Sequence, residues 1–345
     1  MIPEAFESAS PALTVVVTNH NYAEFVESAI NSALGQQAVT VEVVVVDDGS
    51  TDESRAVIER FGSTIKAIFT PNEGQGAAFN RGFEASSGDV VIFLDADDVL
   101  WQDTGRRVVG VMAADSTIVR VQFILDVIDS AGRRTGALMP EAPKVPFSGD
   151  ARQRLLTCPD DIVWQPTSGN AFSRAALESV LPMPEAPFRI CADYYLSSLV
   201  PLHGAVSLLD AAGGGYRVHG GNAHYARRER PERLRINVRR TYDTHQCLIA
   251  ESRRLGLVGL PSDPGEVRSV SSAANRLLSY RLDRTEHPIP GDSRVALVRL
   301  GLSSSAARTD VSPLRRMSFA AWFLAMAVVP RRLVSVVARP FVRLE

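Results

Sequence analysis

The stretch V-V-V-V-D-D-G-S-T-D at residues 43–52 indicates both the fold of this chain and the position of its binding edge. It is a run of valines that ends directly in two carboxylates and a glycine. A short β-branched run predicts a buried strand, and the Asp-Gly pair predicts a turn after it. Ligands of open parallel sheets bind beyond the carboxyl ends of the strands, so we expect Asp47 and Asp48 at a binding edge.

Three further apolar runs share this form, at residues 13–17, 66–69 and 90–94, and helical patterns separate them. Together with residues 41–46 they predict parallel strands. Alternation of strands and helices is typical of a doubly wound α/β fold with helices on both faces of the sheet.

Local signals place several further elements. An apolar stripe at residues 26–34 predicts a helix that ends at Gly35. Ser50 and Glu53 have capping-box spacing, which predicts that the second helix begins there. Residues 119–128 and a turn at 130–132 predict a hairpin, and the Pro-rich residues 140–146 predict a boundary after it.

Composition excludes several classes of protein. The 345 residues are 45% hydrophobic and 22% charged, which is typical of a folded globular protein. The formal net charge of −2 gives no basic field for a nucleic-acid backbone. The three cysteines lack C-x-x-C spacing, the N-terminus lacks a basic start, and no apolar run reaches the ~18 residues of a membrane span. We therefore expect a cytoplasmic location.

The pair Asp95 and Asp97 follows an apolar strand, where two carboxylates can hold a hard cation such as Mg²⁺ or Mn²⁺. The alternative is that these aspartates cap the next helix. Asp47 can accept the imino N–H of a uracil or thymine base, with His20 against the base face; the alternative for Asp47 is turn chemistry. The Gly-rich residues 72–76 precede a helix whose N-terminus can bind a diphosphate.

Three ordered motifs carry a family resemblance: V-V-V-V-D-D-G-S-T-D at 43–52, N-E-G-Q-G-A-A-F-N-R-G at 72–82 and F-L-D-A-D-D at 93–98. In this order and spacing they resemble the inverting family-two glycosyltransferases of the GT-A fold. The resemblance implies a doubly wound, mostly parallel GT-A sheet followed by a mainly helical C-terminal region. It is firm over residues 11–105 and weaker to residue 225.

The resemblance also implies roles for individual residues. Two positions depart from the family pattern, because His20 replaces a tyrosine and Ala192 replaces a glutamate beside the expected base. The base is expected to be Asp193. Asp97 and His219 are expected to be the ligands of Mn²⁺ or Mg²⁺. The donor-binding candidates are Thr18, His20, Asp47, Gln75, Asn80 and Asp95. The acceptor-side candidates are Thr167, Gly169 and Asn170.

These assignments divide the chain into a nucleotide-sugar-binding half at 11–125, an acceptor-side half with the base at 126–225, and a helical region at 226–345. The predicted reaction moves a sugar from a nucleoside diphosphate, expected to be uridine-linked, to a hydroxyl of a glycan or lipid-linked acceptor. Two alternatives stay open, a non-catalytic sugar-nucleotide-binding protein and a nucleotidyltransferase.

The C-terminal residues 317–329 are almost wholly apolar and are bracketed by arginine pairs at 315–316 and 331–332. This pattern fits a helix in the lipid headgroup region, which predicts peripheral contact of residues 315–342 with the inner face of a membrane. The alternative is a helix packed on the protein's own core.

Overall fold

The structure is a computed structural model that describes residues 12–141, 146–163, 165–220 and 231–338. Its strands are β1 Leu13–Asn19, β2 Val41–Asp48, β3 Lys66–Thr70, β4 Val90–Asp95, β5 Val99–Leu100, β6 Ile118–Gln122, β7 Leu125–Ile128, β8 Arg134–Met139, β9 Asn170–Ser173, β10 Ala205–Leu208 and β11 Gly214–Arg217. Its α-helices are α1 Val26–Leu34, α2 Ser54–Glu59, α3 Gln75–Ala85, α4 Thr104–Ala114, α5 Arg152–Leu155, α6 Arg174–Val180, α7 Ala192–Leu199, α8 Pro231–Arg254, α9 Val270–Leu282, α10 Arg294–Ala307, α11 Pro313–Val328 and α12 Val334–Ala338.

The main sheet has seven strands in the order β10-β6-β9-β4-β1-β2-β3. Strands β1 to β4 are parallel to one another, and only β9 runs antiparallel to its neighbours β4 and β6 within the described residues. The four predicted strands are therefore confirmed. Each continues one or two residues beyond its apolar run, so the carboxyl ends of the strands carry polar side chains.

Helices cover both faces of this sheet. Successive strand residues point to opposite faces. Val15 and Val17 pack in a core with α1, whereas Val16 faces α3. A Cβ atom on Gly82 of α3 would lie 2.2 Å from Val16 Cγ1, so the absence of a side chain lets α3 lie directly on the strand. The predicted doubly wound α/β architecture is confirmed.

A second sheet of four strands has the order β5-β11-β7-β8. The predicted hairpin with its turn at 130–132 is present, because β7 and β8 pair antiparallel on either side of this turn, with Gly132 at φ 82°. Its first strand is shorter than the predicted 119–128, because β6 belongs to the main sheet and only β7 joins the hairpin. Alternating hydrophobicity identifies an extended segment but not its pairing partner. The pairing of β11 with β5 brings the end of β11 beside the residues that follow β4.

The predicted cap at Ser50 is also wrong. Helix α2 begins at Ser54, and its N-cap residue Glu53 makes no side-chain cap hydrogen bond. The Ser50 hydroxyl instead donates to Asp47 Oδ1 over 2.5 Å. A carboxylate is the stronger acceptor, so it holds the serine at the sheet edge. Asp52 Oδ1 accepts from the backbone N–H of Ser54 over 3.0 Å.

The chain divides into two compact units. One comprises the described residues up to Asp150 together with Val163–Gly220, and the other comprises Ala151–Ile162 and the described residues after 230. The main sheet takes strands from both predicted halves, 11–125 and 126–225, so these halves form one folding unit. Their division of labour stays a prediction.

The helical unit has its own apolar core and a buried ion pair. His245 on α8 is 1% exposed, and its Nε2 lies 2.9 Å from Asp160 Oδ2 in the segment Ala151–Ile162. Helix α11 buries Trp322, Phe323 and Met326 in this core. The alternative of a helix packed on the protein's own core therefore holds for one face of α11.

The opposite face of α11 is exposed and apolar. Leu314, Met317, Leu324 and Val328 are 77%, 68%, 54% and 81% exposed. None of the described helices is both long enough and apolar enough to cross a bilayer. Residues 339–342 of the predicted membrane segment lie outside the described residues.

Candidate active site

The carboxyl ends of β1 and β2 form the first wall of the site. Asp47 is 3% exposed, and its Oδ1 accepts hydrogen bonds from Asn19 Nδ2 over 2.6 Å and from the Ser50 hydroxyl. Thr18, also on β1, is 9% exposed and accepts the backbone N–H of Ala96 over 3.1 Å. The structure thus places both residues at the predicted edge. Their contacts with a nucleotide stay a prediction.

His20 follows β1 with a defined ring orientation. Its Nδ1 lies 2.8 Å from the carbonyl oxygen of Asp48, so this nitrogen carries the proton and donates. Nε2 is then the acceptor, and the side-chain amides of Asn21 and Asn72 lie 3.2 Å from it. These contacts hold the imidazole ring at the rim, where a flat ring can stack on a base.

Asp48 holds the Gly-rich loop before α3. Its two carboxylate oxygens accept the backbone N–H groups of Glu73 over 2.8 Å and Gly74 over 2.7 Å. Gly74 itself has φ 98°, and a Cβ atom there would lie 2.6 Å from the Cα of Arg189. The carboxylate therefore fixes the loop that leads into the N-terminus of α3.

Gly49, next to Asp48, has a left-handed backbone and lies close to the backbone of Asn72. It has φ +68°, and a Cβ atom would lie 2.4 Å from the backbone nitrogen of Asn72. We expect Gly49→Ala to lower the free energy of unfolding by roughly 3 kcal/mol, from the left-handed backbone plus overpacking. Gly62→Ala is the matched control, because Gly62 has φ +54° with no atom within 4 Å of the added Cβ.

In the control variant Gly62→Ala, the free energy of unfolding should fall by only about 1 kcal/mol. Urea unfolding of the two variants and the parent measures the difference. Equal losses for both variants would show that the close approach at Asn72 is unimportant.

Gln75 at the start of α3 links two predicted parts of the site. Its Nε2 donates to Asp95 Oδ1 over 3.2 Å, and its Oε1 accepts the backbone N–H of Ala192 over 3.0 Å. Ala192 begins helix α7, which carries Asp193. One amide side chain therefore connects the end of β4 with the N-terminus of the helix that holds the expected base.

Three carboxylates lie close together after β4. Burial, and then repulsion by Asp97 and Asp193, raises the pKa of Asp95 to about 8. Hydrogen bonds from Thr167 and Gln75 act in the opposite direction and lower this pKa. Burial, and then repulsion by Asp97 and Asp95, raises the pKa of Asp98 well above its ordinary value. A pocket of buried, mutually repelling carboxylates is a place that favours a cation.

Arg217 at the end of β11 organises this turn, and sequence reasoning missed it. It is 4% exposed, its Nε donates to the carbonyl oxygen of Asp97 over 2.7 Å, and its backbone N–H donates to Asp98 Oδ1 over 2.9 Å. Two residues later, His219 Nε2 lies 3.1 Å from Asp97 Oδ2. The histidine ring also packs on Phe25, with 4.7 Å between ring centroids.

The pair of Asp97 and His219 fits a metal site that a substrate completes. The 3.1 Å between Asp97 Oδ2 and His219 Nε2 is a hydrogen-bond distance, so a carboxylate oxygen and an imidazole nitrogen, both common metal ligands, face each other at this point and would hold the ion. Across the described residues, no three His, Cys, Asp or Glu side chains form a ligand set of their own. Mg²⁺ commonly takes one or two protein ligands and completes its shell with substrate phosphates.

Asp193 lies in the first turn of α7, after Cys191, whose backbone is left-handed with φ 59°. The negative charge of Asp193 contributes to the raised pKa of Asp95. It also opposes the lowering of the pKa of Arg120 by burial. The structure thus brings Asp193 to the same end of the sheet as the carboxylates after β4.

Arg120 on β6 is the second residue that sequence reasoning missed. It is fully buried, and its guanidinium donates to Asn170 Oδ1 over 2.6 Å and to the carbonyl oxygen of Ser197 on α7 over 3.4 Å. Burial lowers the pKa of Arg120 to about 9, and the negative charge of Asp193 opposes this. A buried guanidinium group therefore lies near the expected base and joins the sheet to the helix that carries it.

Four predicted site residues make mainly structural contacts. The side-chain amide of Asn80 exchanges hydrogen bonds with the backbone of Met183, over 3.0 and 2.9 Å. Asn170 is 1% exposed and holds Arg120, and a Cβ on Gly169 would lie 2.9 Å from the carbonyl oxygen of Phe123. Thr167 is 5% exposed and hydrogen-bonds Asp95. These interactions within the protein do not support a direct contact between a substrate and Asn80, Gly169 or Asn170.

A parallel sheet with an acidic carboxyl edge, a Gly-rich loop and an Asp-x-Asp turn defines a protein of the GT-A type. Residues 14–180 of the chain match the family model described as Glycosyl transferase family 2. The residues that follow His219 and Gly220, 221–230, lie outside the described residues.

Two curated relatives agree with the family. An uncharacterized glycosyltransferase of Nostoc sp. is 40% identical over 216 residues, 61% of this chain and 66% of that protein. The succinoglycan biosynthesis protein ExoO of Rhizobium meliloti is 37% identical over 135 residues, 39% of this chain and 38% of that protein. The alignments thus cover less than two thirds of either relative.

The fold is similar to that of S. aureus TarS. The TM-score is 0.53 at 18% identity, over 95% of this chain and 53% of that chain. A TarS fragment in complex with UDP-GlcNAc gives a TM-score of 0.50 at 16% identity, over 95% of this chain and 87% of the fragment. At this identity the likeness is one of fold.

Proposed function

We propose that this chain is an inverting glycosyltransferase that uses a nucleoside diphosphate sugar, with uridine as the nucleotide. The acceptor is a hydroxyl of a glycan or a lipid-linked glycan, as in polysaccharide synthesis, and the transferred group is a hexose. The observation that carries the proposal is the convergence of Asp95, Asp97, His219 and Asp193 at one end of the sheet. The family match and the UDP-GlcNAc complex of a protein with this fold support it.

Each residue in this cluster has a defined task. Asp193 accepts the proton of the acceptor hydroxyl as that oxygen attacks the anomeric carbon opposite the leaving phosphate, and one such displacement inverts the configuration. Asp97 and His219 hold Mn²⁺ or Mg²⁺, which when bound stabilises the charge on the departing diphosphate. Gln75 orients Asp95 towards the ribose, and Asp47 and His20 receive the base.

Arg120 and Arg217 are positioning residues in this mechanism. Arg120 hydrogen-bonds α7 from the sheet and places a positive charge near Asp193. Arg217 fixes the backbone of the turn that carries Asp97. The proposed site of action is the cytoplasmic side of the cell, where nucleotide sugars are available.

A thermal-shift panel tests the proposal. We expect uridine diphosphate and its sugars, with Mn²⁺, to stabilise the protein by about 2.7 kcal/mol at 100 times the dissociation constant. Thymidine and guanosine diphosphates should stabilise it less, and omission of the metal should reduce every shift. A protein that no nucleotide stabilises in the presence of metal would contradict the proposal.

Product analysis separates the two alternatives. A nucleotidyltransferase would release pyrophosphate from a nucleoside triphosphate, whereas a non-catalytic binding protein would be stabilised by the donor without consuming it. Transfer of the sugar, with inversion seen by NMR of the product, identifies the proposed reaction.

A further inference from the structure

The helical unit contains a pocket whose wall is mainly arginine. The pocket has a volume of about 470 Å³ and is lined by the end of α9, the start of α10 and the segment after α11. The residues that define it are Tyr280, Arg281, Arg284, Arg294, Val295 and Arg331. Its lining contains no carboxylate, so its charge is positive.

Neighbouring groups fix two of these arginines. Arg281 Nη1 donates to the carbonyl oxygens of Met326 over 2.6 Å and Ala327 over 3.2 Å at the end of α11. Arg331 donates to the carbonyl oxygen of Leu282. Both guanidinium groups are therefore held in place by neutral acceptors. Hydrogen bonds from Thr285, and then the charge of Arg331, lower the pKa of nearby Asp283, so this carboxylate offsets part of the Arg331 charge.

The other two arginines are exposed at the pocket. Arg284 lies over the ring of Tyr280, 5.7 Å from its centroid, and Arg294 begins α10. Within the described ranges, none of the four guanidinium groups lies within 4 Å of a carboxylate oxygen. The nearby Asp283 accepts hydrogen bonds from the N–H and hydroxyl of Thr285.

The pocket favours a phosphate group among anions. Guanidinium groups match phosphate oxygens through paired hydrogen bonds, and several together can surround one group. The N-terminus of α10, where the Ser293 hydroxyl accepts the N–H of Ala296 over 3.2 Å, adds partial positive charge at the same place.

An apolar surface adjoins this pocket. We define the α11 stripe as Leu314, Met317, Leu324 and Val328, whose spacing of three, seven and four residues keeps them on one side of the helix. The carbonyl groups that Arg281 binds belong to the end of this helix. Val295, in the pocket wall, is 59% exposed. Fixed cations therefore lie beside apolar side chains that face solvent.

We propose that the arginine pocket binds the phosphate group of an anionic phospholipid while the α11 stripe enters the apolar layer. This arrangement of cations beside apolar side chains is the one that interfacial helices use. The lining holds four arginines and no carboxylate, and its net positive charge selects a lipid of net negative charge over a zwitterionic one. The inference does not rest on the proposed sugar transfer.

Vesicle flotation tests the inference with the full chain. We expect binding to vesicles of phosphatidylcholine with added phosphatidylglycerol, and weak binding to phosphatidylcholine alone. Arg284→Gln with Arg294→Gln should weaken binding about 30-fold, from the loss of two cations at an anionic surface. The matched control is Arg299→Gln, which removes an exposed arginine of the same helix α10 that does not line the pocket.

A second pair of variants tests the apolar surface. Leu324→Gln with Val328→Gln should lose vesicle binding, whereas Val258→Gln, at a residue that is 90% exposed, should retain it. All these positions are exposed, and circular dichroism melting checks that the variants fold.

Three outcomes would overturn the inference. The first is that Arg299→Gln weakens vesicle binding as much as the double variant of Arg284 and Arg294 does, and the second is that the protein still binds vesicles after the substitutions in the α11 stripe. The third is that inorganic phosphate or glycerol phosphate stabilises the protein while no vesicles are bound. The last of these would assign the pocket to a soluble phosphate compound.

Discussion

Asp193→Asn is expected to lower the rate of sugar transfer by roughly 10²–10⁴-fold while donor affinity stays at the parent level. The amide has the shape of the carboxylate but cannot accept the proton of the acceptor hydroxyl. Asp193 lies in the first turn of α7 and is not one of the proposed nucleotide contacts, so an amide of the same shape should leave those contacts in place.

The measurement combines kcat from product formation with calorimetric titration of the donor and Mn²⁺. Asp210→Asn serves as the control, because the side chain of Asp210 is 97% exposed in the same unit. Transfer near the parent rate would mean that another group is the base. Loss of donor affinity would mean that Asp193 binds the donor.

Asp97→Ala is expected to remove metal-dependent donor binding and to lower transfer by roughly 100-fold or more, since a bound cation supplies several kcal/mol of charge stabilisation. The control is Asp89→Ala, an exposed carboxylate just before the other end of β4. Thermal shifts with uridine diphosphate, with and without Mn²⁺, measure the effect on binding.

The double variant with His219→Ala makes this test sharper. If both side chains hold one ion, the second substitution adds little to the first, so the two losses are strongly non-additive. Additive losses would show that Asp97 and His219 act at separate places. A metal effect that survives in Asp97→Ala would refute the assigned ligand.

The sequence predicts the parallel core well because its signals are local. Valine runs that end in aspartate mark buried strands and their carboxyl ends, and the known behaviour of parallel sheets then brings Asp47 and Asp95 to one edge. The role of Asp193 as the base comes from the family resemblance and stays a prediction; the structure shows that this residue lies in the first turn of α7.

The supporting residues were not predictable, because their partners are distant in the chain. Arg217 hydrogen-bonds Asp97, which is 120 residues away in the sequence, and Arg120 hydrogen-bonds Asn170, which is 50 residues away. No local pattern distinguishes such an arginine from one on the surface. For Asn80 the motif gives the position, but only the structure shows that its amide is engaged by Met183.

The segment Ala151–Ile162 has a consequence for how this enzyme class can be dissected genetically. The segment lies within the span that matches the family, yet it folds with the helical unit, where Leu155 is fully buried and Asp160 pairs with His245. A gene fragment that stops at residue 220 would keep Asp160 but discard its histidine, and would expose an apolar side chain. The two units of this chain are therefore not consecutive blocks of sequence, and a chimera built from it must carry both pieces of the helical unit together.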